Sequence, residues 1–69
     1  KNQLIKDQKH NYGKIDIGKD CWLGNRVIVT SGVKIDQGAV VGAGSVVTRN
    51  LESYTVNAGV PAKLVRNRN

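Results

Sequence analysis

The stretch Ile15-Asp16-Ile17-Gly18-Lys19-Asp20-Cys21-Trp22-Leu23-Gly24-Asn25-Arg26-Val27-Ile28-Val29-Thr30-Ser31-Gly32-Val33-Lys34-Ile35-Asp36-Gln37-Gly38-Ala39-Val40-Val41-Gly42-Ala43-Gly44-Ser45-Val46-Val47-Thr48 decides the fold. Reading every sixth residue from Ile17 gives Ile17, Leu23, Val29, Ile35, Val41 and Val47 without a break. Two positions before each stands another small or apolar side chain, in order Ile15, Cys21, Val27, Val33, Ala39 and Ser45. Six residues at about 100° each turn a helix by roughly 240°, so this period scatters its aliphatics around a helix. In a strand, residues two apart face the same side, so Cys21 with Leu23, and Val27 with Val29, point inward together.

Each short strand is followed by a turn with Gly, Asp or Asn at its first or third position: Gly18 and Asp20, Gly24, Gly32, Asp36 and Gly38, Gly42 and Gly44, then Asn50. Such residues tolerate positive φ and bend the chain. Short strands with regular corners predict an all-β parallel solenoid, each rung burying its inward side chains on the next.

Three strands closing a triangle take 18 residues, so residues 15–50 supply about two coils of hexapeptide repeat. Residues 1–14 read as a polar loop leading into the repeat, anchored by Leu4 and Ile5, and residues 51–69 as a C-terminal strand and basic tail, with Leu51 to Tyr54 a connection into one more strand at Thr55-Val56-Asn57-Ala58. A 69-residue chain is at most one small domain and buries only about 60% of the surface its unfolded chain exposes. The first coil has no evident cap and no Met opens the sequence, so the expectation is the C-terminal part of a longer protein.

The formal charge of +6 suits a polyanionic partner. Against nucleic acid stand the scattered cations, the absence of a known binding module, and an aromatic set limited to Tyr12, Trp22 and Tyr54. A phosphorylated cofactor needs fewer charges. No apolar run approaches the roughly 20 residues of a membrane span and no signal-peptide layout is present, so a cytoplasmic protein without membrane attachment is expected. Cys21, the single cysteine, falls on an inward position and reads as a small core side chain rather than a reactive thiol.

Stacking the repeat at 18 residues compares outward positions between coils. Asp16 falls over Lys34, Trp22 over Val40 and Ile28 over Val46, so two of the three outward columns are apolar. Contiguous apolar columns that include the only tryptophan point to a contact surface, for a second subunit or a ligand, although scattered surface apolars are ordinary. At the corners Asn25 falls over Ala43, Thr30 over Thr48 and Ser31 over Arg49, and small residues there fit either a tight turn or the close approach of an extended ligand.

Four stretches in this order resemble the C-terminal part of the hexapeptide-repeat acyltransferases, in particular sugar O-acetyltransferases of the galactoside, maltose and polysaccharide type. They are Ile17-Gly18-Lys19-Asp20-Cys21-Trp22-Leu23-Gly24, Ser31-Gly32-Val33-Lys34-Ile35, Val41-Gly42-Ala43-Gly44-Ser45-Val46-Val47-Thr48 and Ala58-Gly59-Val60-Pro61-Ala62-Lys63. The resemblance covers residues 15–68 and departs from it at Thr30 and Asp36, where relatives carry a second Gly-rich corner. It implies a left-handed parallel β-helix, a homotrimer, and acetyl-CoA bound as co-substrate between adjacent subunits. Carried over by position, it places coenzyme contacts at Asn25, Ala43, Thr48, Arg49, Lys63 and Arg66 and puts Trp22 at the acceptor or pantetheine channel, with no metal.

The same resemblance implies a one-base mechanism, in which a histidine takes the proton of an acceptor hydroxyl and a backbone amide holds the oxyanion. His10 is the only histidine in the chain, and it lies in the leading loop with no carboxylate fixed beside it. The family's histidine falls farther upstream, so no residue here is assigned as the catalytic base, with His10 as the alternative. Transfer to a sugar or polysaccharide hydroxyl is the first expectation. N-acetylation of an amino sugar or xenobiotic is its rival, and a non-catalytic trimeric scaffold or coenzyme-binding module is the alternative of a different class. A zinc carbonic anhydrase on the same repeat would need about three protein ligands, and this chain offers one histidine.

Overall fold

The computed structural model of the chain describes residues 14–68. The leading-loop anchors Leu4 and Ile5, and His10, lie outside the described residues. Eight strands follow one another: β1 (Asp16–Ile17), β2 (Trp22–Leu23), β3 (Ile28–Val29), β4 (Lys34–Ile35), β5 (Val40–Val41), β6 (Val46–Val47), β7 (Thr55–Ala58) and β8 (Lys63–Asn67). Three faces result, β1 with β4, β2 with β5, β7 and β8, and β3 with β6, so the chain visits the faces in turn and pairs each of the first three strands with the one three further on. The expected all-β architecture is therefore observed, with parallel pairing on every face through β7.

The register is the 18-residue step: Asp16 beside Lys34, Trp22 beside Val40, and Ile28 beside Val46. Strands of two residues have no independent stability and need neighbours on both edges and a shared interior. That interior is the predicted inward set, with Val27, Val29, Val33, Ile35, Ala39, Val41 and Val47 buried. Ile15, Ile17, Cys21 and Leu23 in the first coil pack against it and are half-buried, because no described rung lies above them. The Cys21 thiol donates to the Asp36 carbonyl at 3.0 Å, which fits its expected place among the core side chains.

The corners are type II turns. Amide Ala39 donates to the Asp36 carbonyl at 3.2 Å and amide Ser45 to the Gly42 carbonyl at 3.3 Å. The third residue has positive φ at the first five corners, at Asp20 (61°), Arg26 (59°), Gly32 (80°), Gly38 (75°) and Gly44 (75°), the conformation that this turn demands, whereas the corner at Asn50 has none.

The reading of Leu51 to Tyr54 as a connection is corrected at its first residue. Leu51 is buried and bridges Ile35 in parallel, extending the first face. The stacking thus outlasts the sequence period, and the step shortens to 16: Ile35 to Leu51, Val40 to Val56, Val41 to Asn57. Strand β7 forms where expected, and the tail closes the lower edge of its face as antiparallel β8. No helix among the described residues is long and apolar enough to cross a membrane.

Two corner glycines are required for different reasons. Gly44 has φ +75° with open space where a Cβ would stand, whereas at Gly24 a Cβ would lie 2.7 Å from the backbone nitrogen of Ala43 in the coil below. Gly44→Ala should lower stability by about 1 kcal/mol, the cost of a left-handed alanine. Gly24→Ala should cost about 2–3 kcal/mol by forcing two coils apart, and urea unfolding that ranks the pair the other way contradicts this packing.

Candidate functional site

The corner between the second and third faces is built from paired backbone. Amide Gly44 donates to the Asn25 carbonyl at 2.8 Å, so Asn25 and Ala43 stack as the 18-residue step requires. Gly24 lets the two tiers approach, and a Cβ at Gly42 would meet that of Ala58 at 3.2 Å, so Ala58 and Gly59 carry the corner one tier further. Asn25, Ala43 and Gly59 are all exposed. The result is a narrow ridge of backbone with small side chains, open to a ligand lying along it.

Apolar columns flank this ridge on both sides. On the second face Trp22, 68% exposed, stands over Val40 and Val56, with Arg66 paired to Val56 at the lower end. On the third face Ile28, 56% exposed, stands over Val46. The first face carries Asp16 and Lys34 instead, a charged pair where the other two faces are apolar.

Thr48 and Arg49 lie on the far side of the third face, at the corner that leads from β6 into Leu51. Arg49 and Lys63 line a cavity of about 230 Å³ beneath the last coil, with Asn50, Leu51, Glu52, Thr55, Asn57, Ala62 and Leu64. The predicted site residues therefore form three groups: Asn25 with Ala43, Arg49 with Lys63, and Arg66 in the column of Trp22. Within one chain the Asn25 corner and the Arg49 corner are separated by the third face.

Sequence reasoning missed the polar floor of this cavity. Asn57 is buried, donates from Nδ2 to Thr55 Oγ1 at 3.0 Å and approaches the Val40 carbonyl at 3.5 Å, while Thr55 donates to the Glu52 carbonyl at 2.6 Å. The available signal was the alternation of Thr55 and Asn57 within β7, which becomes readable only once the step is known to shorten to 16. Replacing Asn57 with Ala should cost about 1–3 kcal/mol, because Val40 and Thr55 lose their donor in a buried setting. A urea midpoint unchanged by that substitution would show the network to be solvated.

Known proteins resemble this chain in sequence and in fold. Residues 14–49 match the family described as bacterial transferase hexapeptide (six repeats). A chloramphenicol acetyltransferase of Klebsiella aerogenes is 43% identical over 56 residues, which are 81% of this chain and 27% of that protein. A galactoside acetyltransferase solved in complex with coenzyme A superposes with a TM-score of 0.81 at 40% identity, covering 83% of this chain and 28% of that one. A GDP-perosamine N-acetyl transferase from Caulobacter crescentus, an H141A mutant solved with CoA and GDP-perosamine, gives a TM-score of 0.72 at 40% identity over 72% of this chain and 24% of that one. The chain thus spans about a quarter of the length of each of these relatives. Its repeat, register and corners, together with the family match over residues 14–49, make it a member of the bacterial hexapeptide transferase family.

Proposed function

We propose that this chain is the coenzyme-binding, C-terminal part of an acetyl-CoA-dependent acetyltransferase that acts on a sugar or polysaccharide hydroxyl. The observation that carries the reading is the exposed Asn25–Ala43 ridge between two apolar columns. It offers backbone amides to an extended amide-bearing chain and apolar walls to its methylenes, which is the chemistry of pantetheine. The resemblance to a galactoside acetyltransferase that binds coenzyme A supports the same ligand.

In this reading Thr48 hydrogen-bonds the coenzyme, and Arg49, Lys63 and Arg66 meet its phosphates, two of them by forked guanidinium contact. Trp22 lines the acceptor side or the pantetheine channel. The coil is a left-handed parallel β-helix, and the protein works as a cytoplasmic homotrimer, without nucleic acid or membrane as partner. Assembly accounts for the separation of the two corners. In a ring of prisms the Asn25 corner of one copy can face the Arg49 corner of the next, so that each coenzyme is held by two chains.

The chemistry is attack of an acceptor hydroxyl on the acetyl thioester: the new C–O bond forms, the C–S bond breaks, and the hydroxyl proton passes through a histidine to the departing sulfur. Residues 14–68 contain no histidine to do this, so the base is His10 or a histidine elsewhere in the whole protein. The N-acetyl transferase from Caulobacter crescentus favours a second reading, transfer to an amine on a nucleotide-linked sugar, because its likeness to this chain is of similar strength.

Calorimetric titration of the whole protein with coenzyme A should give saturable binding. Arg49→Ala combined with Arg66→Ala should weaken it by tenfold or more, about 1.4 kcal/mol or above. Unchanged affinity would remove these residues from the site, and acetyl transfer to amino sugars in preference to hydroxyl acceptors would select the second reading. Sedimentation should show three copies, whereas a monomer would leave the apolar columns without a partner.

A further inference from the structure

The geometry points to Arg68 as a positioning residue for Arg66, an arginine clamp at the far end of β8 that holds the phosphate-facing half of that strand in register. The inference rests on the coenzyme reading of Arg66 and concerns what keeps that side chain in place.

Strand β8 is weakly held along its length. All five of its residues, Lys63 to Asn67, are exposed, and it is the outermost strand of its face. Its ladder with β7 is interrupted: Leu64 pairs with Asn57 and Arg66 with Val56, so Val65 is an extra residue opposite one step of the partner strand. A bulge of this kind breaks the ladder into two short runs, and exposed terminal runs open at low free energy unless something ties them down.

Each run has its own anchor. The first follows Ala62, which is 2% exposed and whose amide donates to the Val46 carbonyl at 2.8 Å. The second ends at Arg68, whose amide donates to the Tyr54 carbonyl at 2.8 Å and whose Nη1 donates to the Gly38 carbonyl at 2.8 Å. Gly38 and Tyr54 stack at the opposite corner of the same face, where amide Tyr54 also donates to the Gln37 carbonyl at 3.0 Å. A Cβ at Gly38 would run into the Tyr54 ring, so ring and backbone are in close contact there. Arg68 thus fastens the strand end to two tiers of the prism at once. A long side chain with several donors suits that reach, and a charged donor strengthens the bond to a carbonyl.

The consequence is selective. Removing the Arg68 side chain leaves only its backbone amide on Tyr54 to hold the strand end, so residues 65–67 open more readily as far as the bulge and Arg66 is held less firmly. Lys63 lies beyond the bulge, next to the Ala62 anchor, and keeps its place. Arg68 therefore contributes to coenzyme binding only through Arg66.

A double-mutant cycle on the whole protein, titrated with coenzyme A, tests this. Arg68→Ala should weaken binding by about three- to tenfold, less than the loss of a direct charge-assisted contact to the coenzyme, because the effect reaches the ligand only through Arg66. Adding Arg68→Ala to Arg66→Ala should change nothing further, while adding it to Lys63→Ala should multiply the two losses. Amide exchange of residues 65–67 should accelerate without a change at Asn57 and Ala58, which pair with the first run, and Arg68→Lys, which keeps a charged donor, should recover part of the affinity. If Arg68→Ala weakens binding equally in the Arg66→Ala background, Arg68 acts on its own and the positioning role is wrong. If it has no effect while Arg66→Ala does, the clamp is wrong and the coenzyme reading stands. If Arg66→Ala and Arg49→Ala both leave affinity intact, the coenzyme reading itself fails.

Discussion

Six parallel backbone hydrogen bonds of 2.8–3.1 Å join the first coil to the second, from the amides of Asp16, Gly18, Trp22, Gly24, Ile28 and Thr30 to carbonyls seventeen residues on. Every other feature depends on them, because strands of two residues are too short to persist alone. The bonds fix the 18-residue step, and the step puts Ile17 over Ile35, Leu23 over Val41 and Val29 over Val47. Backbone pairing and side-chain burial thus reinforce one another at each rung. A change that parts two coils at one corner forfeits both.

The shortening to 16 residues is how the stack ends. Dropping two residues around Asn50 brings Leu51 under Ile35 and places Asn57 under Val41, so the lowest tier of the interior acquires a buried amide in an aliphatic column. Asn57 and Thr55 satisfy one another and the nearby carbonyls, which makes that tier tolerable without a further coil beneath it. The space left below, between Arg49 and Lys63, follows from the same two-residue change.

The fold was legible because its period is visible one residue at a time. Outward pairs such as Trp22 with Val40 follow from arithmetic on the sequence, and the structure returns them in the same register. Three things were hidden. Leu51 looked like part of a connection because it breaks the six-residue count, and its burial shows only in three dimensions. Arg26 and Tyr54 hold positive φ at 59° and 53° without being Gly, Asp or Asn, so the corner rule finds the turn at Arg26 only through Gly24 and passes over the one at Tyr54. Arg68 was one of three tail cations until its bond to Gly38 set it apart. Of the candidate site, the Asn25–Ala43 corner could be placed from the step alone. The positions of Lys63 and Arg66 depend on the antiparallel return and its bulge, which no period encodes.

The distribution of outward residues bears on how one chain can supply only part of a site. A prism with one charged face and two apolar faces cannot satisfy both apolar faces with a single twofold contact, since that contact uses the same patch on each copy. Using two different faces of each copy makes the contact heterologous, and a heterologous contact ends either in a closed ring or in a filament. In the proposed ring the ridge at Asn25 and Ala43 would lie beside the contacts between copies, where a ligand flanked by Trp22 on one side and Ile28 on the other would be removed from solvent. In that ring, the exposure of Trp22 in the single chain and the division of the cationic residues between two corners would share one physical origin, a groove completed by assembly rather than by folding.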